Sequence, residues 1–175
     1  MSNWLASKLA LACVVFAAPS VACSQGLQEP SDSSKHSGVA ADHIDWNSQQ
    51  IEWHDYPDGL ETMKSNNQPA VLIVYADWCG VCKRYSKMFQ DPEVVKQSKS
   101  VVFIRINQDT SPYVKDFSRD GSYVPRTFLL DKHGTVLDSP FKNKRYSFFL
   151  PPGSTEYLAK LLSYMGNNKS GEWSR

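Results

Sequence analysis

The stretch Ala70-Val71-Leu72-Ile73-Val74-Tyr75-Ala76-Asp77-Trp78-Cys79-Gly80-Val81-Cys82-Lys83 decides how this chain is read. Residues 70–75 form an unbroken apolar run, the pattern of a strand buried on both faces of a sheet. Two cysteines follow directly. From Val81 onward Tyr85, Met88 and Phe89 recur at helical spacing, so the pair stands where a strand hands over to a helix. There the unpaired backbone N–H groups and the helix dipole favour an anion. A thiol in such a place drops from about 8.5 into the range of roughly 3.5–7.5, and the thiolate is the form that attacks a disulfide. Cys82 lies one turn further along the same face, near enough to close a ring and more shielded. Cys79 is therefore the expected nucleophile and Cys82 the expected resolving thiol.

Cys-x-x-Cys also occurs in metal and haem sites. Haem attachment needs a histidine after the second cysteine, and Lys83 stands there. Tetrahedral zinc needs four ligands. No second Cys-x-x-Cys exists, and His36, His43, His54 and His133 are scattered. Soft thiolates suit Cu(I), so a copper-binding metallochaperone stays open as an alternative. Its third ligand would be a residue such as Met88, which the helical spacing assigns to the core instead. No cofactor and no bound metal are expected.

Outward from the motif, a short edge strand is expected within 51–53 and a helix over 57–66, ended by Asn66-Asn67-Gln68-Pro69. Asp91-Pro92-Glu93 reads as an N-cap followed by proline at the first helical position, opening a second short helix to about 98. Strands are expected over 101–106 and 127–130, and a helix over 112–118. Asp131-Lys132-His133-Gly134 has turn chemistry and predicts a hairpin with 135–137. Ser154 starts a last helix, with Tyr157, Leu158, Leu161, Leu162 and Met165 as its apolar positions. The predicted fold is α/β, a central mixed sheet with helices on both faces. Phe141, Tyr146, Phe148 and Phe149 crowd one loop. They read first as packing on the sheet edge, and alternatively as a client-binding lip.

The N-terminus reads separately. Lys8, an apolar run of about ten residues ending at Pro19, and Ser20-Val21-Ala22 have the form of a secretory signal peptide. A membrane-spanning helix needs ~20 apolar residues. The expected organisation is a signal peptide over 1–22, a disordered linker over 23–43, a domain over 44–168 and a tail over 169–175. The linker is rich in Ser, Gly, Gln, Asp and Pro and short of large apolar residues. Cys13 would leave with the signal. Cys23 has two readings: a lipidated first residue that tethers the chain to a membrane, or a bystander after ordinary cleavage. Ser20 stands where lipoprotein sites usually carry leucine, which weighs against the first. The formal net charge of +1 gives no field suited to nucleic acid.

The residues around the cysteines carry a resemblance. Residues 75–83 resemble the active-site stretch of the thioredoxin superfamily, and Val124-Pro125 before a strand resembles that family's cis-proline loop. Residues 116–126, with Phe128-Leu129-Leu130-Asp131 and Gly134, are similar to the small endoplasmic-reticulum thioredoxin-domain proteins of the anterior-gradient branch and their bacterial exported relatives. The resemblance implies a thioredoxin-like fold over roughly 46–165. It implies Trp78 as the aromatic shield of the site, and Pro125 as a cis residue that keeps a backbone edge open to a substrate strand pairing with Val124. In thioredoxins a buried acid lies six residues before the first cysteine. Here Ile73 stands there, while Asp77 is expected at the rim. Arg105 aligns with the acid's basic partner and reads either as a surface charge or as a thiolate stabiliser.

The function implied is thiol–disulfide oxidoreduction on protein substrates outside the cytoplasm, by a monomer served by an unidentified redox partner. A chaperone that traps clients as mixed disulfides with little turnover is the further alternative. Gly80-Val81 between the cysteines leaves the direction of electron flow open. The chain ends Glu172-Trp173-Ser174-Arg175, without a Lys-Asp-Glu-Leu-type signal, so a periplasm is preferred to an endoplasmic-reticulum lumen or to secretion.

Overall fold

The computed structural model describes residues 43–168 except residue 142. The signal peptide, nearly all of the linker, the tail, Cys13 and Cys23 lie outside the described residues. The elements run β1 (Trp53–His54), α1 (Tyr56–Asn66), β2 (Ala70–Tyr75), α2 (Gly80–Ser86), α3 (Pro92–Gln97), β3 (Val102–Asn107), β4 (Arg126–Leu130) and α4 (Thr155–Asn167), with 3-10 turns at Lys87–Gln90 and Pro112–Phe117. The sheet order is β1-β3-β2-β4. β3 is parallel to β1 and β2, whereas β4 is antiparallel to β2. This is the mixed α/β sheet expected. The first strand forms at 53–54 rather than over 51–53, and the predicted helix over 112–118 is a 3-10 turn.

The unbroken apolar run of β2 has its cause in two cores. Val71 and Ile73 face a cluster with Trp46, Phe103, Leu129, both cysteines, Tyr85, Phe89 and the α4 residues Leu158 and Leu162. Leu72 and Val74 face another with Met63 of α1, Ile104, Phe117, Phe128 and Phe148. Successive strand residues point to opposite faces, so a strand covered on both sides needs apolar residues throughout. Asp91 caps α3, its carboxylate accepting from the Glu93 and Val94 N–H groups at 2.9 and 3.4 Å.

α1 lies close on β3 because residue 59 has no side chain. A Cβ there would sit 2.5 Å from Ile104 Cγ1 and 2.7 Å from its Cδ1. Ile104 is fully buried and has no room to yield. Gly59→Ala is therefore expected to lower the urea midpoint, by about 1–3 kcal/mol of overpacking against a gain of ~1 kcal/mol in helix propensity. A midpoint equal to or above wild type would show that α1 is free to move off the sheet.

The hairpin over 135–137 forms as expected: Asp131 N donates to Thr135 O at 3.0 Å, Leu137 N donates to Leu129 O at 2.8 Å, and Leu130 bridges Val136 antiparallel. The Asp131 carboxylate fixes the turn by taking the His133 and Thr135 N–H groups, and beyond Leu137 the returning loop takes the β4 edge, Phe148 O accepting from Thr127 N at 2.7 Å. Two expectations are corrected. Tyr157 is exposed, because the stripe 158, 161, 162 and 165 already fills the buried face of α4. Ser154 precedes α4 as expected but makes no side-chain capping bond; its carbonyl accepts from Leu158 N.

Candidate active site

The site is assembled from the turn that ends β2. The Cys79 N–H donates to Ala76 O at 3.1 Å, which bends the chain out of the strand. Cys79 itself stays extended and caps α2. Its Sγ accepts from the Cys82 N–H at 3.0 Å, and its carbonyl accepts from the Lys83 N–H at 3.1 Å. A cysteine here takes the place of the usual Ser, Thr or Asp cap, so the sulfur itself caps the start of α2. Both cysteines are free thiols. Cys79 is 4% exposed and Cys82 fully buried.

The Cys79 thiol also points to Val124 O, at 3.7 Å, and the Val124–Pro125 peptide is cis. Two segments 45 residues apart in sequence thus meet at one sulfur. Trp78 is 68% exposed. Its indole N–H donates to Asp109 Oδ2 at 2.8 Å, which holds the ring at the rim. Asp77 is at the rim as expected, its Oδ2 accepting from Asn107 Nδ2 at 2.8 Å. The loop after β3 therefore braces the loop that carries the motif.

Val124 and Pro125 are supported from behind by a polar network that the sequence reading missed. Arg126 is fully buried. Its Nε donates to Phe117 O at 2.9 Å, and its Nη1 donates to Gln108 Oε1 at 2.8 Å and to Tyr123 O. Burial lowers its pKa, against the opposing pull of Tyr123 and Asp120. Tyr123 donates to Asp120 Oδ2 at 2.7 Å and accepts from Phe148 N at 2.9 Å, while Asp120 Oδ2 accepts from Ser147 N. A lone arginine after proline carries no periodic signal, so nothing in the sequence marked it as buried.

Arg105 is neither of the two things expected. It is half-buried, and its guanidinium lies over the rings of Trp53 at 4.8 Å and Trp46 at 5.7 Å, a cation–π arrangement. It borders a cleft of about 520 Å³ with Tyr56, Tyr75 and Tyr113. Its neighbour across β2 is Ile73, so no acid partners it there. Met88 is buried in the core. The aromatic loop divides: Phe148 stacks on Phe128 at 4.3 Å and Tyr146 meets Tyr123 at 4.6 Å, whereas Phe141 and Phe149 border a groove of about 590 Å³ with Leu150 and Tyr157.

Burial is the main cause that pushes the Cys82 thiol well above its ordinary 9.0. The hydrogen bond with Cys79 adds to it, and a backbone hydrogen bond with Ala76 opposes. Burial likewise lifts Tyr85 above its ordinary 10.0, with the bond to Thr127 opposing. A proton held more tightly by the folded than by the unfolded chain stabilises the fold below the unfolded pKa, and that contribution is lost as pH climbs toward the folded one. The reduced protein is therefore expected to lose urea stability above its unfolded thiol pKa of 9.0, and more steeply above 10.0. Cys82→Ser removes the first part. A midpoint that stays flat between about pH 7 and about pH 11 contradicts the burial of these groups.

A family model described as thioredoxin-like matches residues 52–132. Anterior gradient protein 3 of Xenopus tropicalis is 29% identical over 102 residues, which cover 56% of this chain and 62% of that protein. Anterior gradient protein 2 homolog of Homo sapiens is 28% identical over 117 residues, 65% of each chain. The aligned part is thus less than two thirds of these relatives' own length. A thioredoxin from Thermus thermophilus superposes with a TM-score of 0.52 at 17% identity, covering 70% of this chain and 94% of that one. With the motif at the end of β2, the cis Val124–Pro125 peptide against it and the mixed sheet behind both, this chain has a thioredoxin-like fold.

Proposed function

We propose that the protein is a thiol–disulfide oxidoreductase acting on protein disulfides outside the cytoplasm, through Cys79 and Cys82. The observation that carries this is one sulfur with two contacts: Cys79 Sγ caps the helix at the Cys82 N–H and faces the carbonyl of Val124 on the cis-proline turn. In the reducing direction the Cys79 thiolate attacks a client disulfide. A Cys79–client bond forms and the other client sulfur leaves as a thiolate. Cys82 then gives up its proton and attacks the Cys79 sulfur, the second client sulfur departs, and two electrons have passed from the dithiol to the client. The oxidising direction is the reverse.

Trp78, Val124 and Pro125 bind the substrate. The exposed Trp78 ring offers apolar surface next to Cys79. Among the described residues the Val124 N–H has no hydrogen-bond partner, which suits pairing with an extended client strand. Residues 1–22 serve as an export signal into a periplasm, with Cys23 as a membrane tether when lipidated. Insulin reduction and oxidation of reduced ribonuclease, run side by side, test the reading. Turnover is expected in at least one assay, and a protein inactive in both refutes the proposal.

A further inference from the structure

The turn beside Cys79 has few bonds of its own. Val124 O accepts from the Cys79 thiol at 3.7 Å, and the Val124 N–H has no partner among the described residues. Pro125 has no N–H to give. What holds these two residues lies on either side of them. The Tyr123 carbonyl accepts from Arg126 Nη1, so the residue before the pair is tied to the residue after it. The Arg126 guanidinium also lies 5.8 Å from the centre of the Tyr123 ring.

This clasp is anchored at both ends. Arg126, fully buried, donates further to Phe117 O and Gln108 Oε1. The Tyr123 hydroxyl donates to Asp120 Oδ2 at 2.7 Å and accepts from Phe148 N at 2.9 Å. The same Asp120 oxygen accepts from Ser147 N at 2.6 Å, and Phe148 O accepts from Thr127 N at 2.7 Å. Tyr146 packs on the Tyr123 ring, with centroids 4.6 Å apart. The segment from Tyr123 to Thr127 is therefore fixed from outside itself, while the Val124 N–H stays free. An edge fixed before its partner arrives costs less ordering on binding.

We propose that Asp120, Tyr123 and Arg126 are positioning residues for client capture. They hold Val124 so that an extended client strand pairs with it and brings a sulfur to Cys79. The consequence is a preference for disulfides carried on extended backbone over small disulfides that have none. This deepens the dithiol reading and rests on it. In the capture step the Cys79 thiolate attacks the client sulfur and a Cys79–client bond forms. The client disulfide breaks, and its other sulfur leaves as a thiolate with the bonding pair. The three positioning residues exchange no proton.

Two probes with one leaving group test this: a short extended peptide whose central cysteine is disulfide-linked to 5-thio-2-nitrobenzoate, and N-acetylcysteine linked in the same way. Cys79 attacks the cysteine sulfur of either and releases the coloured thionitrobenzoate. The ratio of the two rate constants thus measures what the peptide backbone adds. The parent chain carries Cys82→Ala, and the rate of a chain with Cys79→Ala and Cys82→Ala together is subtracted. The parent is expected to react faster with the peptide. Tyr123→Phe and Asp120→Ala are each expected to lower the ratio by about fivefold or more, the scale of one lost hydrogen bond. Asp120→Asn keeps an acceptor oxygen for Tyr123 and Ser147 and is expected to restore it. A network that only stabilises the fold would move both rates together and leave the ratio unchanged. A parent ratio of one, a parent ratio retained in both Tyr123→Phe and Asp120→Ala, or a ratio in Asp120→Asn as low as in Asp120→Ala overturns the inference. A parent that reacts with neither probe faster than the chain lacking both cysteines overturns the dithiol reading itself.

Discussion

Cys82→Ala is expected to accumulate clients covalently held on Cys79, whereas Cys79→Ala holds none and loses turnover by about 10³-fold or more, the scale on which removing a covalent nucleophile acts. The asymmetry follows from position. Cys79 keeps a small exposed surface beside the Val124 carbonyl, while Cys82 has none and its burial holds the proton on. A client sulfur thus reaches Cys79 first, and without Cys82 nothing displaces it. Non-reducing electrophoresis of the two variants after exposure to an oxidised client reads the result directly, with dithiothreitol releasing the adduct. Equal trapping by both variants, or trapping by Cys79→Ala alone, overturns the assignment of attacker and resolver.

Arg126→Ala is expected to cost about 3 kcal/mol of folding stability, within the range for removing one side of a buried polar or charged network, and to lower the melting temperature by roughly 10 °C. Three acceptors lose their donor at once: Phe117 O, Gln108 Oε1 and Tyr123 O. The bond to Phe117 O is buried and those to Gln108 and Tyr123 are partly buried, so the acceptors lose their donor where water replaces it poorly. Arg126→Met keeps much of the volume without the charge and is expected to recover part of the loss. Arg84→Ala, at an exposed site on α2, is expected to stay within about 0.5 kcal/mol. Thermal and urea unfolding of the three variants check the order. An Arg126→Ala variant as stable as Arg84→Ala would mean that the network contributes nothing beyond packing.

The two-sided apolar run at 70–75, the cysteine pair at a strand-to-helix junction, the Asp91 cap and the α4 stripe were all legible without a structure. Each is a local pattern, repeated along consecutive residues or set by neighbours within one turn. The turn at 131–134 and its return over 135–137 belong with them, whereas the loop that takes the rest of the β4 edge through Phe148 comes from a residue with no local mark. Tyr157 failed because a helical apolar stripe has margins, and which margin is covered depends on the partner surface. Arg105 failed because an arginine on a strand carries no signal for the two tryptophans it lies over.

Order along the chain was enough to say that a sulfur sits at a helix mouth with a second sulfur one turn behind it, since periodicity and capping act over a few residues. Only tertiary structure decided what those sulfurs meet. Val124 comes to Cys79 across 45 residues and Thr127 to Tyr85 across 42, and Arg126 is buried by loops from three parts of the chain. The physical reason is that burial demands a partner for each polar group, but the demand does not name the partner. Strand register and loop closure make that choice, and both are properties of the packed molecule.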